Sequence, residues 1–253
     1  MTADLVSTHP SLSCSGYCRD CETVHTLPSE QAIPHVYRLM DALRKYQRLD
    51  FEQELINSDP RLHTDWLYSD MRGKMFGILV CEDSEGNEVI LKAFSSKYNG
   101  LRTVSGWVDP LVDSVLFDAE IEAGNKRIHP LTLRINALDK NTSEAKQLLE
   151  ERKVISRPIL ENLLALYEVH NFKNEQSSLK MAFHSAKKMP IGTGDCCAPK
   201  LINHAAKNGL TPISIAEFFW GKSLASGAKT EGHFYPTCNE RCEPLLGFML
   251  CGL

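Results

Sequence analysis

The chain has 253 residues, 43% hydrophobic and 24% charged, a balance that suits one large or two small globular domains with a real core. Its net charge of −4 argues against bulk electrostatic capture of nucleic acid, and no apolar run reaches the roughly 18 residues that a membrane span needs. The stretch Met1 to His9 lacks the basic head and apolar core of a signal peptide, so a cytoplasmic protein is expected. Nine cysteines, an odd number, then favour metal ligands, thiol chemistry or buried thiols over a disulfide framework.

Taken in chain order, residues 1–27 form a Cys-rich leader containing Cys14, Cys18, Cys21 and His25. Their spacing suits a small zinc knuckle. Cys-x3-Cys-x2-Cys is also the cluster spacing of radical S-adenosylmethionine enzymes, but the βα series those need does not follow. Free cysteines are the plain alternative. In the next block, residues 28–140, Val36, Leu39, Met40, Leu43 and Tyr46 recur at helical steps and predict a helix from about Ser29 to Asn57. Lys74–Cys81 and Val89–Phe94, joined by a turn at 84–87, predict a β-hairpin. A third segment, 141–176, carries a charged helix from Thr142 to about Arg157, interrupted at Pro158 and then resuming, either on the surface or as a protruding helical hairpin. The polar run Asn171–Ser178 predicts a linker, and Leu179–Phe183 a strand.

The last block, 177–253, holds most of the chemistry. A helix is predicted from Cys196, with Pro199 in its first turn and Gly209 as its stop. Ile213–Trp220 predicts a buried strand. Pro244 fits the first turn of a second helix, with Cys242 at its start and Cys238 one turn earlier. Three thiolates at two helix starts, Cys196, Cys238 and Cys242, would leave zinc's fourth position open to water. Cys197 should then point into the core. Asp195 and Glu217 are candidates to activate that water, although Asp195 also suits a helix N-cap. A thiol-nucleophile alternative pairs Cys196 or Cys197 with His233 as base and Glu217 or Glu231 as its orienting acid. Seven lysines against two acids between Lys180 and Thr230 suit an anionic ligand such as RNA or a nucleotide, or simply a solvated surface. Phe218, Phe219, Trp220, Phe234 and Tyr235 are core candidates, one or two of which could stack on a base.

The order of a Cys-bearing helix, a strand and a Pro-x-Cys-x3-Cys helix is similar to the zinc deaminase superfamily core. That resemblance implies a deaminase-like α/β/α core within an α+β fold, and zinc as cofactor. The chain departs from the superfamily where Ala198 and Pro199 stand in place of the shuttle Glu, and in the x3 spacing of the cysteine pair. A second resemblance covers most of residues 70–253. Arg72-Gly-Lys-Met-Phe-Gly-Ile-Leu-Val, Ala93-Phe-Ser, Pro190-Ile-Gly-Thr-Gly-Asp-Cys-Cys-Ala-Pro-Lys-Leu, Ile215-Ala-Glu-Phe-Phe-Trp-Gly and His233-Phe-Tyr-Pro-Thr-Cys-Asn-Glu-Arg-Cys-Glu-Pro resemble the accessory region ahead of the catalytic domain in some bacterial pseudouridine synthases. The synthase signature itself is absent, since Arg48-Leu-Asp50 lacks the preceding His. The resemblance implies an RNA-modification context, with a pseudouridine synthase as partner. Two readings follow: a zinc-dependent, deaminase-like enzyme acting on a nucleobase, nucleotide or RNA, and a non-catalytic, zinc-stabilised accessory module.

Overall fold

The computed structural model describes residues 12–70, 73–224 and 227–253, so the leader's first eleven residues and Arg72 lie outside the described residues. The fold is α+β. A first hairpin, β1 (Cys14–Cys18) and β2 (Thr23–Leu27), leads into α1 (Ile33–Tyr46). Three short 3-10 turns between Leu55 and Tyr68 precede the hairpin β3 (Lys74–Glu82) and β4 (Glu88–Phe94). Two long helices follow, α2 (Ser114–Asn136) and α3 (Ser143–Ala165), then the short hairpin β5 (Glu168–His170) and β6 (Gln176–Ser178). The chain closes with α4 (Leu179–Ala182), α5 (Cys197–Lys207), β7 (Thr211–Trp220), β8 (Phe234–Tyr235) and α6 (Glu243–Met249). Among the described residues no helix is long and apolar enough to cross a membrane.

The central sheet is antiparallel in the order β4-β3-β7-β8. It joins strands from residues 28–140 to strands from 177–253, so those two stretches share one architecture. Alternation along β7 sorts its side chains between two cores. Ile215 faces α5 and the cluster that also holds Leu79, Cys197, Leu201, Leu246 and Met249. Ala216, Phe218 and Trp220 face α1 and a second cluster with Val36, Leu43, Phe76, Phe94 and Trp107. Phe76 stacks on Phe218 at 5.7 Å, and Trp107 and Phe94 meet edge to face. Phe218, Phe219 and Trp220 are therefore interior packing and offer no stacking platform for a base.

Several expectations are corrected. The first helix stops at Tyr46, because Gln47 takes a left-handed conformation (φ +54°). The chain then turns so that Arg48 can bury its guanidinium against Asp50, 3.0 Å away, and against the carbonyls of Asp50 and Gln53. Pro158 does not interrupt α3, which runs unbroken over 23 residues. The roughly 3 kcal/mol that an interior proline costs is offset by packing on α2, where Ile159 sits directly over Gly124. The charged helix is thus one arm of a helical hairpin whose other arm, α2, has few apolar signposts. Asn171–Ser178 is a hairpin and no linker: Asn171 accepts the N–H groups of Lys173 and Glu175 to form its turn. Leu179–Ala182 is a single helical turn and no strand, since the Ser178 hydroxyl caps the N–H of Met181.

Candidate metal centre and adjoining thiol cluster

The first hairpin is the frame of the metal centre. On β1 the burial alternates, with Cys14, Gly16 and Cys18 inward and Tyr17 outward. The register sets His25 of β2 opposite Gly16, beside Cys18 on the same face. The turn between the strands, with Glu22 at φ +53°, carries Cys21 back over that face. The fourth group comes from the far end of the chain. Helix α6 docks on β1 so tightly that a Cβ on Gly247 would stand 1.8 Å from the Tyr17 carbonyl oxygen. Just past that helix, the N–H of Phe172 holds the Cys251 carbonyl at 2.9 Å. The sulfur of Cys251 thereby comes to 3.1 Å from that of Cys21.

One ligand atom from each of Cys18, Cys21, His25 and Cys251 lies within 4.8 Å of the others, so this cluster could hold a metal ion. Two further observations fit that use. His25 Nε2 is buried with no hydrogen-bond partner, a costly arrangement that a metal bond relieves. The Cys21 thiol is shifted toward thiolate, first by its hydrogen bond to Cys251 and further by the neighbouring Lys173 ammonium. Lys173 Nζ donates to Cys21 Sγ at 3.6 Å. Burial pushes the Cys251 thiol up to about 12, so a cation binding here would have to displace its proton.

Of the four leader residues singled out by spacing, Cys18, Cys21 and His25 converge, whereas Cys14 does not. Four residues from Cys18 on the same face of a strand, it is carried roughly 13 Å along β1 at about 3.3 Å per residue. It is buried beside Thr237 and Glu217, its thiol raised to about 12 by burial.

The C-terminal trio stands where α5 and α6 begin. Cys196 is the N-cap of α5 and Cys242 the N-cap of α6. The Cys242 side chain hydrogen-bonds both Cys196 and Cys238, and these contacts and burial raise its thiol. Among the described residues, the Cys18, Cys21, His25 and Cys251 set alone places three or more ligand atoms within 4.8 Å of one another; the trio is looser. Cys197 points into the core, its thiol donating to the Met75 carbonyl at 3.3 Å. Seating α5 there requires Gly77, because a Cβ at that position would come within 2.8 Å of Cys197 Cβ.

Glu217 takes the capping duty expected of Asp195. Asp195 is not the helix cap: its carboxylate accepts the Tyr167 hydroxyl at 2.8 Å and its carbonyl accepts the N–H of Ser96 at 2.7 Å. Glu217 is buried opposite Gly77 and supplies the cap from the neighbouring strand, its Oε1 accepting the N–H of Ala198 at 3.1 Å. His233 is exposed and bonded to the Glu231 carbonyl; among the described residues no hydrogen bond joins it to Cys196 or Cys197. Glu231 bonds the Tyr68 hydroxyl. The lysine surplus is thinner than a count suggests, since Lys200 is buried and donates to the carbonyls of Phe94 and Ser96. Lys229 lies over the Tyr235 ring.

Burial raises the Glu217 carboxyl to about 7, against the lowering pull of the Ala198 N–H. A carboxyl whose folded pKa is raised stabilises the fold fully below its unfolded value, near 4.5, and loses that contribution as pH rises through 7. The loss amounts to roughly 3 kcal/mol at pH 8. Glu217→Gln keeps an acceptor for Ala198 without the charge. Denaturant titrations should show the wild-type chain losing stability between pH 5 and 8 while the variant stays flat. Parallel curves would mean that Glu217 does not change protonation in the folded state.

Comparison of the chain with protein-family models, curated proteins and solved structures finds no match.

Proposed function

We propose that this chain is a zinc-stabilised accessory module that engages RNA, in an RNA-modification context alongside an enzyme such as a pseudouridine synthase. The observation that supports the reading is the completeness of the ligand set: three sulfurs and one imidazole, gathered within 4.8 Å of one another, would satisfy zinc's four positions from protein alone, the pattern of structural rather than catalytic zinc. Such a centre fastens the β1–β2 hairpin to the segment after α6. The RNA-facing surface in this reading is a groove of about 640 Å³ between α3 and the 178–189 segment. Arg157, Lys180 and Lys188 line it together with one acid, Glu161, and the apolar Leu160, Leu164 and Phe183. Cations beside apolar and aromatic surface suit a single strand.

The test joins metal analysis to binding. Purified protein should contain one zinc per chain and bind single-stranded RNA with a strong salt dependence. Neutralising Arg157, Lys180 and Lys188 together to Gln should reduce the slope of log affinity against log salt by about 2, with zinc content unchanged. An unaltered slope would remove the groove from the reading, and absence of any RNA binding would end it.

A second reading, a zinc-dependent deaminase acting on a nucleobase, nucleotide or RNA, is favoured by one observation. The α5–β7–α6 unit sets Cys196 and Cys242 at two helix starts, with the buried carboxyl of Glu217 behind them. Ammonia release by the zinc-loaded chain, abolished in Glu217→Gln, would carry that reading. Its absence across nucleosides, nucleotides and RNA leaves the accessory module.

A further inference from the structure

The thiols at the start of α6 are arranged for chemistry that the metal centre does not use. The carbonyl of Cys238 accepts the N–H groups of Cys242 at 3.0 Å and Glu243 at 3.1 Å, so a helical turn runs from one cysteine to the other. Four residues apart on such a turn, their Cα atoms are separated by about 6 Å, inside the range a disulfide can span. The two differ in access: Cys238 is exposed and Cys242 is buried. Hydrogen bonds from the Cys242 side chain and from the N–H groups of Arg241, Glu240 and Cys242 hold the Cys238 thiol below the usual thiol range. Behind Cys238, the Cys242 side chain is the one that hydrogen-bonds it.

We propose that Cys238 and Cys242 form a dithiol that exchanges with low-molecular-weight aliphatic disulfides, Cys238 attacking and Cys242 resolving. The Cys238 thiolate attacks one sulfur of R–S–S–R. The S–S bond breaks, one RS⁻ leaves and takes a proton from solvent, and a Cys238–S–S–R mixed disulfide remains. The Cys242 sulfur then attacks Cys238, its proton passing to the second departing RS⁻. Two protein thiols are oxidised to one disulfide, and one R–S–S–R is reduced to two RSH. Neither step draws on the ion at Cys18, Cys21, His25 and Cys251, so the inference stands apart from the zinc reading.

The experiment uses the full zinc-loaded chain, hydroxyethyl disulfide as probe, and peptide mass spectrometry after acid quench. Wild type should acquire a Cys238–Cys242 bond with its zinc retained. Cys242→Ser should accumulate one hydroxyethylthio group, on Cys238. Cys238→Ser should slow oxidation of this region at least tenfold. A brief pulse of N-ethylmaleimide on the wild type, which needs no variant to fold, should label Cys238 before any other cysteine. The proposal is overturned if Cys238→Ser oxidises at the wild-type rate, or if the adduct or the pulse label falls first on another cysteine. It is also overturned if the chain carries a second zinc that keeps Cys196, Cys238 and Cys242 unreactive.

Discussion

Stripping the metal from the zinc-loaded chain should lower its thermal midpoint by roughly 8 to 16 °C. An ion that binds the folded chain alone, at a free concentration about 1,000 times its dissociation constant, contributes about 4 kcal/mol. Each kcal/mol moves the midpoint of a chain of this size by about 2–4 °C. Cys251→Ser should reproduce the effect, because it removes a buried ligand. Cys14→Ser should leave zinc content at wild-type level, because that thiol lies beside Thr237 and Glu217 instead. Differential scanning with and without chelator measures the shift. Hydrogen exchange should show the β1–β2 hairpin and the residues after Met249 opening first. A midpoint indifferent to chelator would remove the metal from the account of stability.

Gly247→Ala should be the most damaging single methyl in the chain. Glycine within a helix ordinarily costs about 1 kcal/mol relative to alanine, so the substitution would be expected to stabilise α6 taken alone. Packing reverses the sign. The added Cβ would meet the Tyr17 carbonyl oxygen at 1.8 Å and the Cys18 nitrogen at 2.9 Å. Backbone atoms cannot rotate aside as a side chain can, so the helix must lift off β1. A loss of about 3 kcal/mol, at the upper end of overpacking costs, is expected in urea titrations. Lifting α6 also draws Cys251 away from Cys18, Cys21 and His25, so zinc affinity measured by competition should fall at least tenfold. A variant as stable as wild type would show that the hairpin and helix do not approach as described. Gly16→Ala should act in the same sense, since its Cβ would stand 2.3 Å from the Gly247 nitrogen.

The parts of this fold that sequence alone reveals are those written in local periodicity. The β3–β4 hairpin, the buried strand β7, and the starts of α5 and α6 all follow from alternation, glycine stops and proline in a first turn. Three of the four candidate metal ligands follow from the Cys-x2-Cys-x3-His spacing. Cys251 does not, because its place depends on a helix docking on β1, which brings it to Cys21, 230 residues away. A single cysteine after an apolar helix carries no signal of that partnership. The duties of Asp195 and Glu217 were hidden for a similar reason. Adjacency to a helix start suggests a cap, yet Tyr167, 28 residues away, takes the Asp195 carboxylate. The cap comes from a strand that follows the helix. Lys200 reads as surface charge until the carbonyls of Phe94, the last residue of β4, and Ser96 accept its ammonium.

A metal ion held by this cluster would also impose an order on assembly. During synthesis the hairpin presents Cys18, Cys21 and His25 long before Cys251 exists, as an incomplete site from which an ion can exchange with solvent. Docking of α6 adds the last sulfur and would turn a loosely held ion into a locked one. The rate at which a metal ion left such a site would therefore be a clock for completion of the fold, slow only once both ends of the described chain had met.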